Sequence, residues 1–406
     1  MKSDLDRLMQ DRGFAASVVM GRAVENTALN YITSGAKITQ GIVLKKRGEG
    51  PVLICGSMER DEAAKSGLPV VTFDDFDLYN LVKETGSRFE GKLRMLAAIL
   101  EQYGVTGAVS FYGLGDPGQS FVMLSRLSEM LPSLTITGEA EPTIFDEAGA
   151  TTDAAARAAI KSGAERTNTV MAETVDFLKG HTVHDSRLVK ANGGPLTVGD
   201  VKRFVRVSLL EHELEASEGI VFAIGRDAGI PHSQGEDDDH LVLGKSIVFD
   251  LFPRGLGGGY FHDMTRTFCL GYAPPEVQRA YDQVMQAFEA VMGAFEVGEK
   301  TSRYQDMTCD ILEEHGRQTV RSDPGTEEGY VHSLGHGIGL QIHSEPYFSP
   351  FSTTTIQPGQ VFTVEPGLYY PEQGYGVRVE DTVYVDEEGT IRPLTTFPKD
   401  LVIPVG

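Results

Sequence analysis

Val377-Arg378-Val379-Glu380-Asp381-Thr382-Val383-Tyr384-Val385 alternates apolar and polar residues near the end of a 406-residue chain. Side chains point to opposite faces along a strand. Val377, Val379 and Val383 therefore share one face, and Arg378, Glu380 and Thr382 share the other. A second strand of the same kind lies just upstream. In Val361-Phe362-Thr363-Val364-Glu365, Thr363 and Glu365 share a face opposite Val364. An earlier pair repeats the pattern: Ser246-Ile247-Val248-Phe249-Asp250-Leu251-Phe252 and His262-Asp263-Met264-Thr265-Arg266-Thr267-Phe268, where Asp263 shares a face with Thr265 and Thr267. Helical segments precede both pairs, which points to two similar halves closing on one site.

Each strand is strongly apolar yet carries a carboxylate aimed to one side. A buried carboxylate without a partner costs several kcal/mol. Four of them call for compensating positive charge, and Arg378 and Arg266 are the only nearby cations in sequence. One or two metal ions would serve. His336 is the fifth candidate, in His332-Ser333-Leu334-Gly335-His336-Gly337-Ile338-Gly339-Leu340, where flanking glycines permit close backbone approach. Two Asp, one His and two Glu suit a pair of hard or borderline divalent ions such as Mn²⁺ or Co²⁺. Two such ions at a spacing of ~3.5–4 Å can activate one water as a nucleophile.

Taken singly, none of these residues is distinctive. A lone strand carboxylate reads as an edge residue, and a lone histidine as structural. The Gly335/Gly337/Gly339 spacing lacks the preceding strand and downstream acid of a dinucleotide site. The hairpin with Gly255, Gly257, Gly258 and Gly259 reads as a flexible surface turn, and Glu236-Asp237-Asp238-Asp239 as a solvated loop face. The reading rests on the co-occurrence of the whole set.

Working outward, helices are expected over Ala154–Leu178 with Thr152 or Asp153 as cap, after Thr197-Val198-Gly199-Asp200, over Pro275–Phe295 and over Ser302–His315. The polar stretch from Gly138 to Asp153 marks a boundary. Ahead of it, residues 1–140 alternate strand and helix patterns. Ser17–Met20, Gly41–Leu44, Pro51–Cys55 and Ala108–Phe111 read as strands, with helices over Leu93–Tyr103 and Phe121–Leu131. The expected organisation is a smaller N-terminal α/β domain over 1–140 and a larger α+β domain over 150–406.

Composition narrows the classes. The 36 basic and 58 acidic residues give a formal charge of −22, which disfavours nucleic acid and anionic membrane surfaces and favours divalent cations. Three scattered cysteines, Cys55, Cys269 and Cys309, make no disulfide framework. The first residues lack the apolar run of a signal peptide, and no stretch reaches the ~18 apolar residues of a membrane span. A cytoplasmic location is the expectation.

At these residues the sequence resembles the pita-bread metallopeptidases, the group of aminopeptidase P, prolidase and methionine aminopeptidase. Phe249-Asp250-Leu251 and His262-Asp263-Met264-Thr265-Arg266-Thr267 are similar to the two aspartate motifs of that family. Gly335–Leu340 with His343 resembles its double-histidine motif. Thr363–Gly367 and Val377–Thr382 resemble its two glutamate motifs. The resemblance implies a duplicated pita-bread catalytic domain and a dinuclear site held by Asp250, Asp263, His336, Glu365 and Glu380, with manganese foremost and cobalt or zinc as alternatives. It implies that Glu365 moves the proton of the attacking water, that His343 and His232 donate to the reacting carbonyl oxygen, and that Arg378 orients the carboxylates. The N-terminal domain is similar to that of aminopeptidase P, prolidase and creatinase. Creatinase-like hydrolases do not keep the five ligands, and this sequence has them all.

The activity so implied is hydrolysis of an Xaa-Pro bond, at the N-terminus of peptides or in dipeptides, by a homodimer. A metal-dependent hydrolase with a non-proline substrate and a non-catalytic peptide-binding scaffold are the alternatives. Two features depart from the family pattern. Asp250 and Asp263 are 263 − 250 = 13 positions apart, about two more than usual, with the excess expected to bulge in the glycine hairpin. And Ser344 through Val364 contains no Arg or Lys, where dipeptide-specific relatives hold the substrate carboxylate with an arginine. That gap tilts the expectation toward longer peptides.

Overall fold

A computed structural model describes residues 4–113 and 115–406. The chain forms two compact units, Met1–Gly149 and Ala150–Gly406.

The first unit is built on a six-stranded sheet. Its strand order is Val70–Thr72, Val52–Cys55, Gly41–Lys46, Ala16–Gly21, Gly107–Tyr112, Leu134–Thr137. Val18, Ile42, Leu44, Ile54 and Val109 put their side chains into one apolar core, so the alternation in sequence became burial on one face. Ala16–Gly21 pairs antiparallel with Gly41–Lys46 and parallel with Gly107–Tyr112. The helix Arg88–Gln102 starts at Ser87, whose hydroxyl accepts from the Glu90 amide, and buries Leu93, Leu96, Ile99 and Leu100 against the sheet. Val70–Thr72 and Leu134–Thr137 complete the sheet beyond the four strands expected. They are short and only partly buried, so they lack a clear alternating signal.

The second unit carries two helix pairs. Asp153 caps Ala154–Lys179 by accepting from the Ala156 amide. Val198–Glu211 opens with a reciprocal box. The Thr197 hydroxyl accepts from the Asp200 amide, and the Asp200 carboxylate accepts from the Thr197 amide, at 3.2 Å each. Pro275–Ala294 and Thr301–Glu314 form the other pair, and Gly298 and Gly316 follow them at φ +90 and +73, where only glycine is unstrained. Each pair packs on its own strands and has its own apolar core.

Under the first pair lies a sheet with order Val221–Ile224, Ser246–Leu251, Met264–Leu270, Val402–Ile403, in which Asp250 stands opposite Thr265. Under the second lie Val361–Val364 paired with Asp381–Val385, and Gly367–Tyr370 paired with Tyr375–Arg378.

Two local expectations change. The stretch Val377–Val385 is not one strand. It breaks at Val379-Glu380, and its halves join different sheets. At the break the Glu380 amide donates to the Thr265 carbonyl at 3.0 Å, so this point stitches the two halves of the unit together. The alternation survives because Arg378, Glu380 and Thr382 still face the Met264–Leu270 side.

The glycine hairpin is not a free surface turn either. Arg254–Gly255 pairs with Leu214–Glu215, and the Glu215 carboxylate accepts from Arg254 Nε and from the Gly257 amide. The longer loop is thus anchored away from the paired Asp250 and Thr265. No helix among the described residues is long and apolar enough to cross a membrane.

The Thr197 box holds the helix whose Val201, Val205 and Leu209 fill the core behind Ser246–Leu251. Thr197→Ala is expected to lower the stability of this unit by about 1 kcal/mol, read as a shift in the chemical denaturation midpoint.

Candidate functional site

The carboxylates arrive from both halves of the second unit. Asp250 projects from Ser246–Leu251, and Asp263 precedes Met264–Leu270. Glu365 follows Val361–Val364, and Glu380 sits in the strand break. Thr382 fixes the Asp263 backbone, its hydroxyl donating to the Asp263 carbonyl at 2.7 Å. Thr265 donates to Glu380 Oε2 at 2.7 Å.

His336 comes in on the glycine loop. Its amide donates to Thr363 Oγ1 at 3.1 Å, and its carbonyl accepts from the Thr363 amide at 2.8 Å. A Cβ on Gly335 would lie 2.1 Å from the Thr363 carbonyl oxygen, and one on Gly337 would lie 2.0 Å from that of Glu345. Neither position admits a side chain, and this closeness lets the loop carry the imidazole inward.

His336 Nδ1 donates to the Gly337 carbonyl at 3.1 Å, which turns Nε2 toward the carboxylates. That Nε2 is 3.3 Å from Glu365 Oε1 and 3.9 Å from Asp263 Oδ2. Ligand atoms of Asp263, His336 and Glu380 all fall within 4.8 Å of one another.

Against four carboxylates the described residues supply one facing cation. Arg378 Nη2 donates to Asp250 Oδ2 at 2.7 Å, Nε to Thr265 Oγ1 at 3.0 Å, and Nη1 to the Tyr369 hydroxyl and the Pro231 carbonyl. Arg266 turns away. It pairs with Asp381 at 2.8 Å and donates to backbone carbonyls, including that of Glu380. So sequence proximity overstated the positive charge available.

The electrostatic result is a frustrated cluster. Asp250 Oδ1, Asp263 Oδ1 and Glu380 Oε1 are buried with no hydrogen-bond partner. Burial and mutual repulsion push Asp263 and Glu380 well above the usual carboxylate range. Burial and Glu365 push Asp250 up against the pull of Arg378. For Glu365 burial also pushes upward, but the His336 contact and the charge of Arg378 outweigh it and hold the group low. These unpartnered oxygens, with ligand atoms of Asp263, His336 and Glu380 within 4.8 Å of one another, are electron-pair donors lacking an acceptor. Their number and hardness fit divalent cations.

Two further histidines border this cluster. The His343 ring stands edge-on to His336, centroids 4.3 Å apart, and is solvent-exposed. Burial of its inner side and the adjacent His336 lower its proton affinity. His232 is exposed beside Pro231 and acts electrostatically on both His332 and His343.

Reading the sequence did not single out His332 or Tyr369. His332 Nε2 lies 2.9 Å from the Tyr369 hydroxyl, which accepts from Arg378 at 3.0 Å, so a hydrogen-bonded chain runs His332–Tyr369–Arg378–Asp250. Burial keeps His332 neutral at physiological pH. Its position four residues ahead of His336, in the same glycine-flanked loop, was the available signal.

Comparison with known proteins agrees with this geometry. The model of metallopeptidase family M24 matches residues 145–387. An Xaa-Pro dipeptidase of Pyrococcus furiosus is 27% identical over 379 residues, covering 92% of each chain. Among solved structures, an Xaa-Pro dipeptidase from Bacillus anthracis superposes with a TM-score of 0.77 at 20% identity, covering 99% of both chains. An X-Pro aminopeptidase from Thermotoga maritima gives 0.74 at 20%, covering 97% of this chain and 99% of that one. The fold is therefore the pita-bread fold with an N-terminal domain, and a dipeptidase and an aminopeptidase match it about equally well, so the fold alone does not separate dipeptide from longer substrates.

The repulsion has a measurable consequence. In chelator, Glu380→Gln replaces a carboxyl that burial and repulsion disfavour in its charged form with a neutral amide, and Thr265 keeps an oxygen to donate to. The variant is expected to melt higher than the parent, by about 1–3 kcal/mol in stability. The gain on adding Mn²⁺ should shrink or vanish in it. Differential scanning fluorimetry with and without the ion checks both.

Proposed function

The chain belongs to metallopeptidase family M24, and from that membership we propose that it is a dinuclear Xaa-Pro exopeptidase acting on dipeptides. It is a metallopeptidase by family. The finer reading is carried by one observation: Asp250, Asp263 and Glu380 each bury a carboxylate oxygen without a partner, and ligand atoms of Asp263, Glu380 and His336 lie within 4.8 Å of one another. Asp250, Asp263, His336, Glu365 and Glu380 would hold two divalent ions, manganese being the first to try. Bound there, the ions supply Lewis-acid polarisation of the scissile carbonyl and a water acidic enough to attack at neutral pH.

The protein's own groups do the rest. Glu365, held as a carboxylate, takes the proton of the attacking water and delivers it to the proline nitrogen as the C–N bond breaks. His343 and His232 line the exposed side and donate to the oxygen on which charge develops. Arg378 is a positioning residue. Its four hydrogen bonds hold Asp250, Thr265, Tyr369 and the segment carrying His232 in register.

The dipeptide preference rests on the relative that matches nearly end to end, named an Xaa-Pro dipeptidase. One observation favours a second reading, an aminopeptidase P taking longer peptides. Besides the absence of Arg and Lys from Ser344 to Val364, the cavity of about 450 Å³ beside the histidine loop is lined by Ser333, Glu345, Tyr347 and several Ser and Thr, with no cation to grip a substrate carboxylate. A homodimer working in the cytoplasm completes the proposal.

Chelator-stripped enzyme reloaded with Mn²⁺ or Co²⁺ should cleave Ala-Pro faster than Ala-Pro-Ala. The reverse order selects the aminopeptidase reading. Cleavage of neither, with metal bound, overturns the proline assignment. Glu365→Gln is expected to lower kcat by at least about 10²-fold, and near-normal turnover would remove it from the proton path.

A further inference from the structure

The N-terminal unit contains a cavity of about 360 Å³ that no part of the reaction uses. It opens at the carboxyl ends of Ala16–Gly21 and Gly107–Tyr112, which run parallel. From the first, the chain turns back into Gly41–Lys46. From the second, it runs through the helix Pro117–Met130 out to Leu134–Thr137 on the other side. The connections diverge there and leave a crevice, the position at which open α/β sheets bind ligands.

The walls are apolar and adaptable. Met20 and Phe111 come from the strand ends, Phe89 and Met95 from Arg88–Gln102, and Met123 and Leu124 from Pro117–Met130. That last helix is fastened toward its far end, by buried Leu127 and an ion pair from Arg126 to Glu90. Its first half stands clear, and Phe121 there is 72% exposed. The gap beneath it is of ligand size. Flexible methionine walls suit an unbranched chain better than a rigid ring.

One cation lines the cavity. Lys92 sits between Phe89 and Met95 on the same helical stripe and makes no hydrogen bond or ion pair with any described residue. In a chain with 58 acidic residues to 36 basic, a half-buried lysine left without an acid is unusual. The one acid on the wall, Asp116, is already engaged as a helix cap, accepting from the Gln119 amide at 2.9 Å. We propose that this cavity binds a medium-chain fatty carboxylate, with its headgroup on Lys92 and its chain along Met20, Met95 and Met123.

The full-length, metal-loaded protein labelled with [methyl-¹³C]methionine tests this by titration with decanoate below its micellar range. Saturable shifts are expected at Met20, Met95 and Met123, with none at Met171 and Met264 in the other unit. Lys92→Gln should weaken decanoate about ten-fold or more at the same methyl groups, whereas Lys161→Gln should not. In the parent protein 1-decanol, which lacks the charge, should bind more weakly than decanoate. The proposal is overturned if the cavity methionines do not shift saturably, if Met171 or Met264 shift instead, or if Lys92→Gln binds decanoate as tightly as the parent. Should that variant not fold, decanoate binding no tighter than decanol overturns it equally.

Discussion

Four carboxylates facing one arginine is the constraint on which the second unit is organised. Burying one unpaired carboxylate costs several kcal/mol, and here Asp250, Asp263, Glu365 and Glu380 meet where, among the described residues, Arg378 is the one cation that answers them. A fold does not assemble such a cluster for stability. The surrounding structure over-determines it instead: two helix pairs with separate apolar cores press two carboxylate-bearing sheets together. Hydrogen bonds lock the seam, notably the Glu380 amide to the Thr265 carbonyl and the Thr382 hydroxyl to the Asp263 carbonyl. The repulsion is then held in reserve for cations.

The same constraint assigns work to the neutral groups. Thr265 donates to Glu380 and accepts from Arg378, so it bridges acid and base without adding charge. Tyr369 links Arg378 to a neutral His332. Gly335 and Gly337 let the His336 loop touch its neighbours' carbonyls, and any side chain there would push the imidazole out of reach. The site is held by contacts of this kind as much as by the acidic residues themselves.

Much of this was legible in the sequence. Strand alternation assigned Arg378, Glu380 and Thr382 to one face, and Asp263, Thr265 and Thr267 to one face, and both groupings appear in the structure. Helix ends were legible because Asp153, Thr197, Gly298 and Gly316 carry their own local signals. What escaped depends on distant partners. The break at Val379-Glu380 is silent in sequence because the alternation continues across it. The docking of Gly257 on Glu215 joins residues 42 apart. His332 and Tyr369 meet only once the loop and hairpin fold together. Arg266 and Arg378 looked equivalent until their neighbours sent one to Asp381 and the other to Asp250.

That this cluster holds metal is testable by metal stoichiometry, without reference to any substrate. The protein, stripped with chelator, reloaded with Mn²⁺ and desalted, is analysed by inductively coupled plasma mass spectrometry beside Asp263→Asn. Two ions per chain are expected in the parent and a clear loss in the variant. Substoichiometric metal in the parent, or equal retention by both, would contradict it.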